Sequence, residues 1–228
     1  MQLIVATRNA DKTREIQQIL GSDFAVRDLR ACPEISEIIE SGKSFKENAK
    51  LKAVAVSSKL PGLVIADDSG LEVEALSGAP GIRSARFAGT KATDQEKIDK
   101  LLEELARIGA KDKQRRARFR CVVTLARDGH ILDTFEGTVE GTIADRPCGS
   151  NGFGYDPIFI PDGFEQSFGE LPAEVKNRIS HRARAIRALA AKLAVPKPTD
   201  QGLGGGGAGG GAPAGGPGPA AGPAAALI

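Results

Sequence analysis

The chain has 228 residues, a formal net charge of +2, 41% apolar side chains and three cysteines. A charge this small argues neither for nor against a polyanionic partner, while three scattered cysteines without a Cys-x-x-Cys pair suggest neither a disulfide framework nor a zinc site. The opening MQLIVATRNADK turns polar after four apolar residues, too few for a signal peptide, and no run reaches membrane-spanning length, so a cytoplasmic protein is expected.

Gln201 to Ile228 holds 24 Gly, Ala or Pro and no charge. Such a segment buries too little apolar surface to offset its conformational entropy. With Pro196 and Pro198 marking the boundary, one domain is expected over 1–196 and a flexible Gly/Ala/Pro-rich tail over 197–228.

In chain order, Leu3-Ile4-Val5-Ala6 reads as a buried strand followed by the loop Thr7-Arg8-Asn9-Ala10. A helix then starts near Asp11, with Ile16, Ile19 and Leu20 on one face. Lys12 sits in its first turn, where a cation opposes the helix dipole at a cost of about 0.3–1 kcal/mol. A bound phosphate would reverse that sign, and a solvated surface lysine is the simpler account. An acidic stretch, Glu34, Glu37 and Glu40, leads to Ser44-Phe45-Lys46-Glu47, which has the form of a capping box opening a helix to about Lys59. Phe45, Ala49, Lys52 and Val56 share one face of it, so Lys52 either snorkels to solvent or meets an anion.

Leu63-Val64-Ile65-Ala66 reads as a buried strand that stops at a polar turn, Asp67-Asp68-Ser69-Gly70. Thr93-Asp94-Gln95-Glu96 opens a further helix with Ile98, Leu101, Leu102, Leu105 and Ile108 as its core face. Ala117 to Leu125 alternates as a half-buried strand, pairing through an Asp128-Gly129 turn with Ile131 to Ile143. Arg116, Arg118 and Arg120 on its polar face are accounted for by solvation, since no stacking aromatics share that face, and no nucleic-acid partner is expected. A glycine-rich loop, Cys148 to Pro157, carries Phe153 and Tyr155 into the strand Ile158-Phe159-Ile160. Between glycines nothing forces these rings inward, so an aromatic here is either a platform for a flat ligand or an anchor on the core. The last helix begins around Ser180 with Ile186, Leu189 and Leu193 buried; His181 and Arg182 at its start, with Lys176 just before, are cations at a positive helix end.

Gly42-Lys43-Ser44 resembles the end of a phosphate-binding loop, but position 37 is Glu where the leading glycine belongs. No G-x-G-x-x-G follows the first strand, no G-x-S-x-G elbow is present, and two histidines cannot build a multi-histidine metal site. What remains is carboxylates, lysines and an aromatic loop. Glu40 and Asp68 are hard oxygen ligands of the kind Mg²⁺ accepts beside substrate phosphates, Lys12, Lys52 and Lys176 could neutralise a polyphosphate, and Phe153 could stack on a base. The combination suggests metal-assisted hydrolysis of a nucleotide.

The segments TRNADK (7–12), SFKENAKLKA (44–53), ADDSGLEVEALSGAPGIRSARFAG (66–89), GFGYDPIF (152–159) and KNRISHRARA (176–185) together resemble the motif set of the inosine/xanthosine triphosphate pyrophosphatases, from Met1 to about Leu193. The resemblance implies Mg²⁺-dependent hydrolysis of XTP, ITP and dITP to monophosphate and pyrophosphate. It also implies a two-lobed α/β fold around a long mixed sheet, with the site in the cleft between lobes, and a homodimer. Carried over by motif, Asp68 is the general base and, with Glu40, a metal ligand, though Glu37 lies near enough to compete. By the same resemblance Thr7, Asn9, Lys12, Lys52 and Ser69 contact the phosphates, Arg8, Ala10 and Asp11 belong to the substrate-binding stretch with them, and Asp67 supports the turn. Phe153, with Gly154 and Tyr155 beside it, stacks on the base, while Asp156, Lys176, His181 and Arg182 line its polar edge.

Overall fold

The computed structural model describes residues 1–194; the tail expected over 197–228 lies outside the described residues. Six strands form one mixed sheet in the order β2-β1-β3-β4-β5-β6. The parallel part comprises β1 (Gln2–Val5), β2 (Ala25–Asp28) and the start of β3 (Val64–Val73). From β3 onward the strands run antiparallel: β4 (Arg116–Arg127), β5 (His130–Ile143) and β6 (Phe159–Pro161). Helix α1 (Ala10–Leu20) follows β1, α2 (Phe45–Ser57) precedes β3, α3 (Asp94–Arg107) joins β3 to β4, and α4 (Ala173–Ile179) and α5 (His181–Ala194) close the domain. Among these helices none is long and apolar enough to cross a membrane.

The expected strand at Leu63–Ala66 does not stop at Asp67. It continues through Asp67, Asp68, Ser69 and Gly70, which pair with Val123, Val122, Cys121 and Arg120 of β4. Turn-forming residue types were overridden here because β4 pairs with ten consecutive residues of β3 and satisfies their backbone groups. The consequence governs the site: successive side chains of a strand point to opposite faces. Ile65, on the Asp67 face, packs with Leu3, Val5, Ile16 and Ile186 under α1 and α5. Val64 and Ala66, on the Asp68 face, pack with Ala53 and Val56 of α2. A third cluster around Leu71, Leu101, Phe159 and Phe168 lies toward α3 and the aromatic loop.

Local expectations were mostly met. Phe45, Ala49, Lys52 and Val56 are all buried, and the Thr93/Glu96 capping box of α3 is complete. At Ser44 only half a box forms: its hydroxyl accepts from Glu47 N (3.2 Å), but the Glu47 carboxylate accepts from Lys43 N instead (2.7 Å). Ile108 is 42% exposed rather than part of the α3 core face, because α3 ends at Arg107. Strand β4 alternates only up to Cys121; beyond it both faces are covered, by α2 and by α5. Its arginines are engaged by acidic partners, Arg116 by Asp162 and Arg118 by Glu72.

Candidate active site

A cavity of about 150 Å³ opens beside the middle of β3, walled by α1 and α5, the acidic loop before α2, α3 and the aromatic loop. Its wall includes Asn9, Lys12, Glu40, Asp68, Ser69, Phe153, Gly154, Tyr155, Asp156, Lys176, His181 and Arg182. Twelve of the residues singled out above therefore meet at one place.

The two adjacent aspartates serve opposite faces and live in opposite environments. Asp67 is a buried hub: one carboxylate oxygen accepts from Lys12 Nζ and from Ser69 Oγ (3.2 Å), the other from Arg182 Nε (3.2 Å) and Cys121 Sγ (2.9 Å). Burial alone would raise its pKa, but the Arg182 guanidinium and the Lys12 ammonium outweigh that and hold it well below the usual range. Burial, then the charge of Asp67, push the Cys121 thiol up, so it stays protonated and donates. Asp68 has one partner, Lys52 Nζ at 3.1 Å on Oδ1. Its Oδ2 is buried and has no hydrogen-bond partner among the described residues, and desolvation raises its pKa despite Lys52.

Lys52 does not snorkel. It is 8% exposed, and its ammonium donates to Glu40 Oε1 (2.8 Å), Asp67 O (2.7 Å) and Asp68 Oδ1. Burial opposes its charge, but Asp68 and Glu40 more than restore it. Glu40 also accepts from Arg86 (3.2 Å); burial pushes its pKa up, and Lys52 overrides this to keep it ionised. Lys52 thus draws the two carboxylates of β3 and the acidic loop together. Glu37 does not line the cavity.

On the other face a chain of buried charges runs from Asp156 through Lys176, Glu15 and Arg182 to Asp67. Arg182 commits Nε, Nη1 and Nη2 to Asp67, Glu15 and Ser69 Oγ (2.9 Å). Desolvation raises the pKa of Asp156, Glu15 adds to it, and Lys176 only partly compensates. Phe153 lies over both cations, its ring centroid 4.9 Å from Lys176 Nζ and 5.5 Å from Arg182 Cζ.

Several expectations are corrected. Lys12 and Arg182 do not leave a helix dipole conflict for an external anion, since Asp67 lies against both. His181 is not a cation: burial, then Arg182 and Lys176, drive its pKa well down, and it stacks on Phe119 at 4.7 Å with Nδ1 unpartnered. Tyr155 is drawn inward, buried with its hydroxyl donating to Ser84 O (3.1 Å). Arg8 is turned away from the cavity, tying its loop to Leu29 O (2.8 Å) and Ile35 O. Asp11 pairs with Arg14 at the surface, and Thr7 accepts from Asn9 N (3.1 Å) while Asn9 caps α1. Ala10 opens α1 and lies outside the cavity wall. Glu15 and Cys121 were missed. Glu15 falls at helical spacing with Lys12, Ile16 and Ile19, and a carboxylate on that buried stripe was the available signal.

The donor set fits a divalent cation. Among the described residues no group of three or more His, Cys, Asp and Glu is placed to hold a metal. Two carboxylates, one with an orphaned buried oxygen, match the pattern in which Mg²⁺ takes few protein ligands and completes its shell with phosphate and water.

The central strand of this mixed sheet thus presents one carboxylate, Asp68, to a cavity whose wall also carries Lys12, Lys176, Arg182 and Phe153, an arrangement of the α/β class with a charged, aromatic-lined site. The chain belongs to the Ham1 family, whose sequence profile matches residues 3–192. It is 48% identical over 188 residues to the dITP/XTP pyrophosphatase of Shouchella clausii, covering 82% of this chain and 94% of that protein. Against the dITP/XTP pyrophosphatase of Listeria monocytogenes serotype 4b the identity is 47% over 194 residues, covering 85% and 95%. Among solved structures, the Staphylococcus aureus Ham1 protein superposes with a TM-score of 0.73 at 40% identity, covering 85% of this chain and 98% of that one. A nucleoside-triphosphatase / dITP/XTP pyrophosphatase from Mycobacterium abscessus gives 0.66 at 40% identity, covering 86% and 100%.

Proposed function

We propose that the chain is a dITP/XTP pyrophosphatase that hydrolyses XTP, ITP and dITP to the monophosphate and pyrophosphate with Mg²⁺. Family membership supports the activity. The observation that carries the site is that Asp68 Oδ2 and His181 Nδ1, two buried polar atoms without partners, belong to residues lining the same cavity.

Asp68 is the general base. Its free oxygen is available to take a proton from water attacking the α-phosphorus. Glu40 and Asp68 would hold Mg²⁺, which when bound neutralises charge on the phosphates. Lys52 keeps these two carboxylates close before any cation arrives. Lys12, Asn9 and Ser69 face the phosphates; Thr7, Arg8, Ala10 and Asp11 act through the loop and helix start that position them. Phe153 stacks on the base. His181, Lys176 and Asp156 meet its edge, with Arg182 using the second protons of its terminal nitrogens because its present bonds occupy the first. Hypoxanthine and xanthine offer a 6-carbonyl to such donors, whereas adenine offers another donor, and a buried site of this kind discriminates by roughly 10⁴–10⁵.

The two-lobed arrangement, the 1–196 domain boundary, the homodimer and the cytoplasmic setting belong to this reading. The test is product analysis after incubation with Mg²⁺ and, separately, dITP, XTP, ITP, ATP, GTP and dTTP. Monophosphate and pyrophosphate from the first three alone is expected. Equal turnover of ATP and dTTP would discard the base-recognition argument, and turnover of none would leave a nucleotide-binding protein.

A further inference from the structure

We propose that Asp94, on α3, is a positioning residue that latches the aromatic loop and thereby sets where Phe153 meets the base. The proposal rests on the reading of Phe153 as the stacking platform.

The loop needs such a latch. Gly149, Gly152 and Gly154 have φ of +76°, +74° and +64°, so the chain around Phe153 is built from residues with wide conformational freedom. Its preceding side is tied by Asn151 N to Gly169 O (2.8 Å) and by Phe153 N to Asp156 Oδ2 (2.7 Å). The residue after Phe153 is held from outside the loop: Gly154 N donates to Asp94 Oδ2 at 2.7 Å, across 60 positions of sequence. Asp94 Oδ1 accepts from Lys97 Nζ (2.9 Å), one turn along α3, which orients the carboxylate toward the loop. Both Asp94 and Gly154 lie in the cavity wall.

Helix initiation does not need this carboxylate. Thr93 and Glu96 complete the capping box of α3 by themselves, Thr93 N donating to Glu96 at 2.7 Å and Glu96 N to Thr93 Oγ1 at 3.2 Å. Asp94 is therefore free to spend one oxygen on the loop. An ionised acceptor makes the stronger kind of hydrogen bond.

The experiment combines amide hydrogen exchange over 150–155 with steady-state kinetics on dITP in the full chain. In Asp94→Ala the Gly154 amide should exchange roughly tenfold faster or more, and KM should rise by a similar factor, as loss of a bond to a charged group predicts. The kcat should stay within about twofold, because ground-state positioning is what is removed. Asp94→Asn, which keeps an acceptor oxygen, should recover most of both. Unchanged exchange in Asp94→Ala, or Asn behaving like Ala, overturns the latch. Faster exchange with an unchanged KM overturns its part in binding. Failure of the underlying reading would show separately, as a wild-type protein inactive on all three purine substrates, with the exchange arm still deciding the latch.

Discussion

Asp67 and Asp68 are chemically identical neighbours, and replacing each by Asn should have opposite consequences. Asp67 has a fully buried side chain in contact with Arg182, and Lys12 closes on its other oxygen. Removing one partner of such a buried pair costs roughly 3–5 kcal/mol, because the stranded charges remain desolvated. At about 2–4 °C per kcal/mol for a domain of this size, Asp67→Asn should lower Tm by roughly 6–20 °C. Asp68 is different. Its Oδ2 is already unpaired, and Lys52 would keep Glu40 and Asp67 O as acceptors. Asp68→Asn should therefore change stability by no more than about 1 kcal/mol, while kcat falls by about 10²–10⁴. The pH dependence has the same logic. Asp67 titrates below its ordinary 3.8, so its stabilisation is present above that value and is lost as pH falls beneath it. Asp68 titrates above 3.8, so its ionisation weakens the fold as pH rises through that window. Thermal unfolding across pH, with pyrophosphate release assays on the same preparations, measures both. Equal Tm losses in the two variants, or an active Asp68→Asn, would refute the division of roles.

Phe153→Ala should raise KM for dITP by roughly 5- to 150-fold, the span of about 1–3 kcal/mol measured for base stacking on aromatics, with little change in Tm; an unaltered KM removes the platform. Glu40→Gln should raise the Mg²⁺ concentration for half-maximal activity by roughly tenfold or more, a titration that would be unmoved if Glu37 were the ligand instead. Because His181 is held neutral well below its ordinary 6.5, kcat/KM should show no inflection from it near that pH. Stability should instead fall as pH drops below 6.5, where only the unfolded chain takes up the proton. An inflection near 6.5 that disappears in His181→Gln would contradict this.

Much of the site is legible in the sequence. Lys52 stood out because a lysine on an apolar helical stripe must find something to do with its charge, and it found Glu40 and Asp68. The α3 capping box, the buried line Ile186–Leu189 and the β4–β5 hairpin follow from spacings that repeat with the period of their element. Glu15 was hidden for the converse reason: a lone carboxylate on an amphipathic helix looks solvated until Lys176 and Arg182, more than 160 positions away, arrive to meet it.

By itself the sequence determined what local chemistry decides: where helices begin, which faces are apolar, and which residue types are available for a metal and a polyphosphate. Only the tertiary structure decided that Asp67-Asp68-Ser69-Gly70 is the middle of a strand rather than a turn, because β4 supplies partners for ten consecutive residues. That single difference assigns the aspartates to opposite faces of the sheet. One meets two cations and becomes structure; the other meets one lysine and an open cavity, and keeps an oxygen free for chemistry. No local pattern separates two adjacent aspartates in this way, because what distinguishes them is the set of charges that distant helices bring to each face.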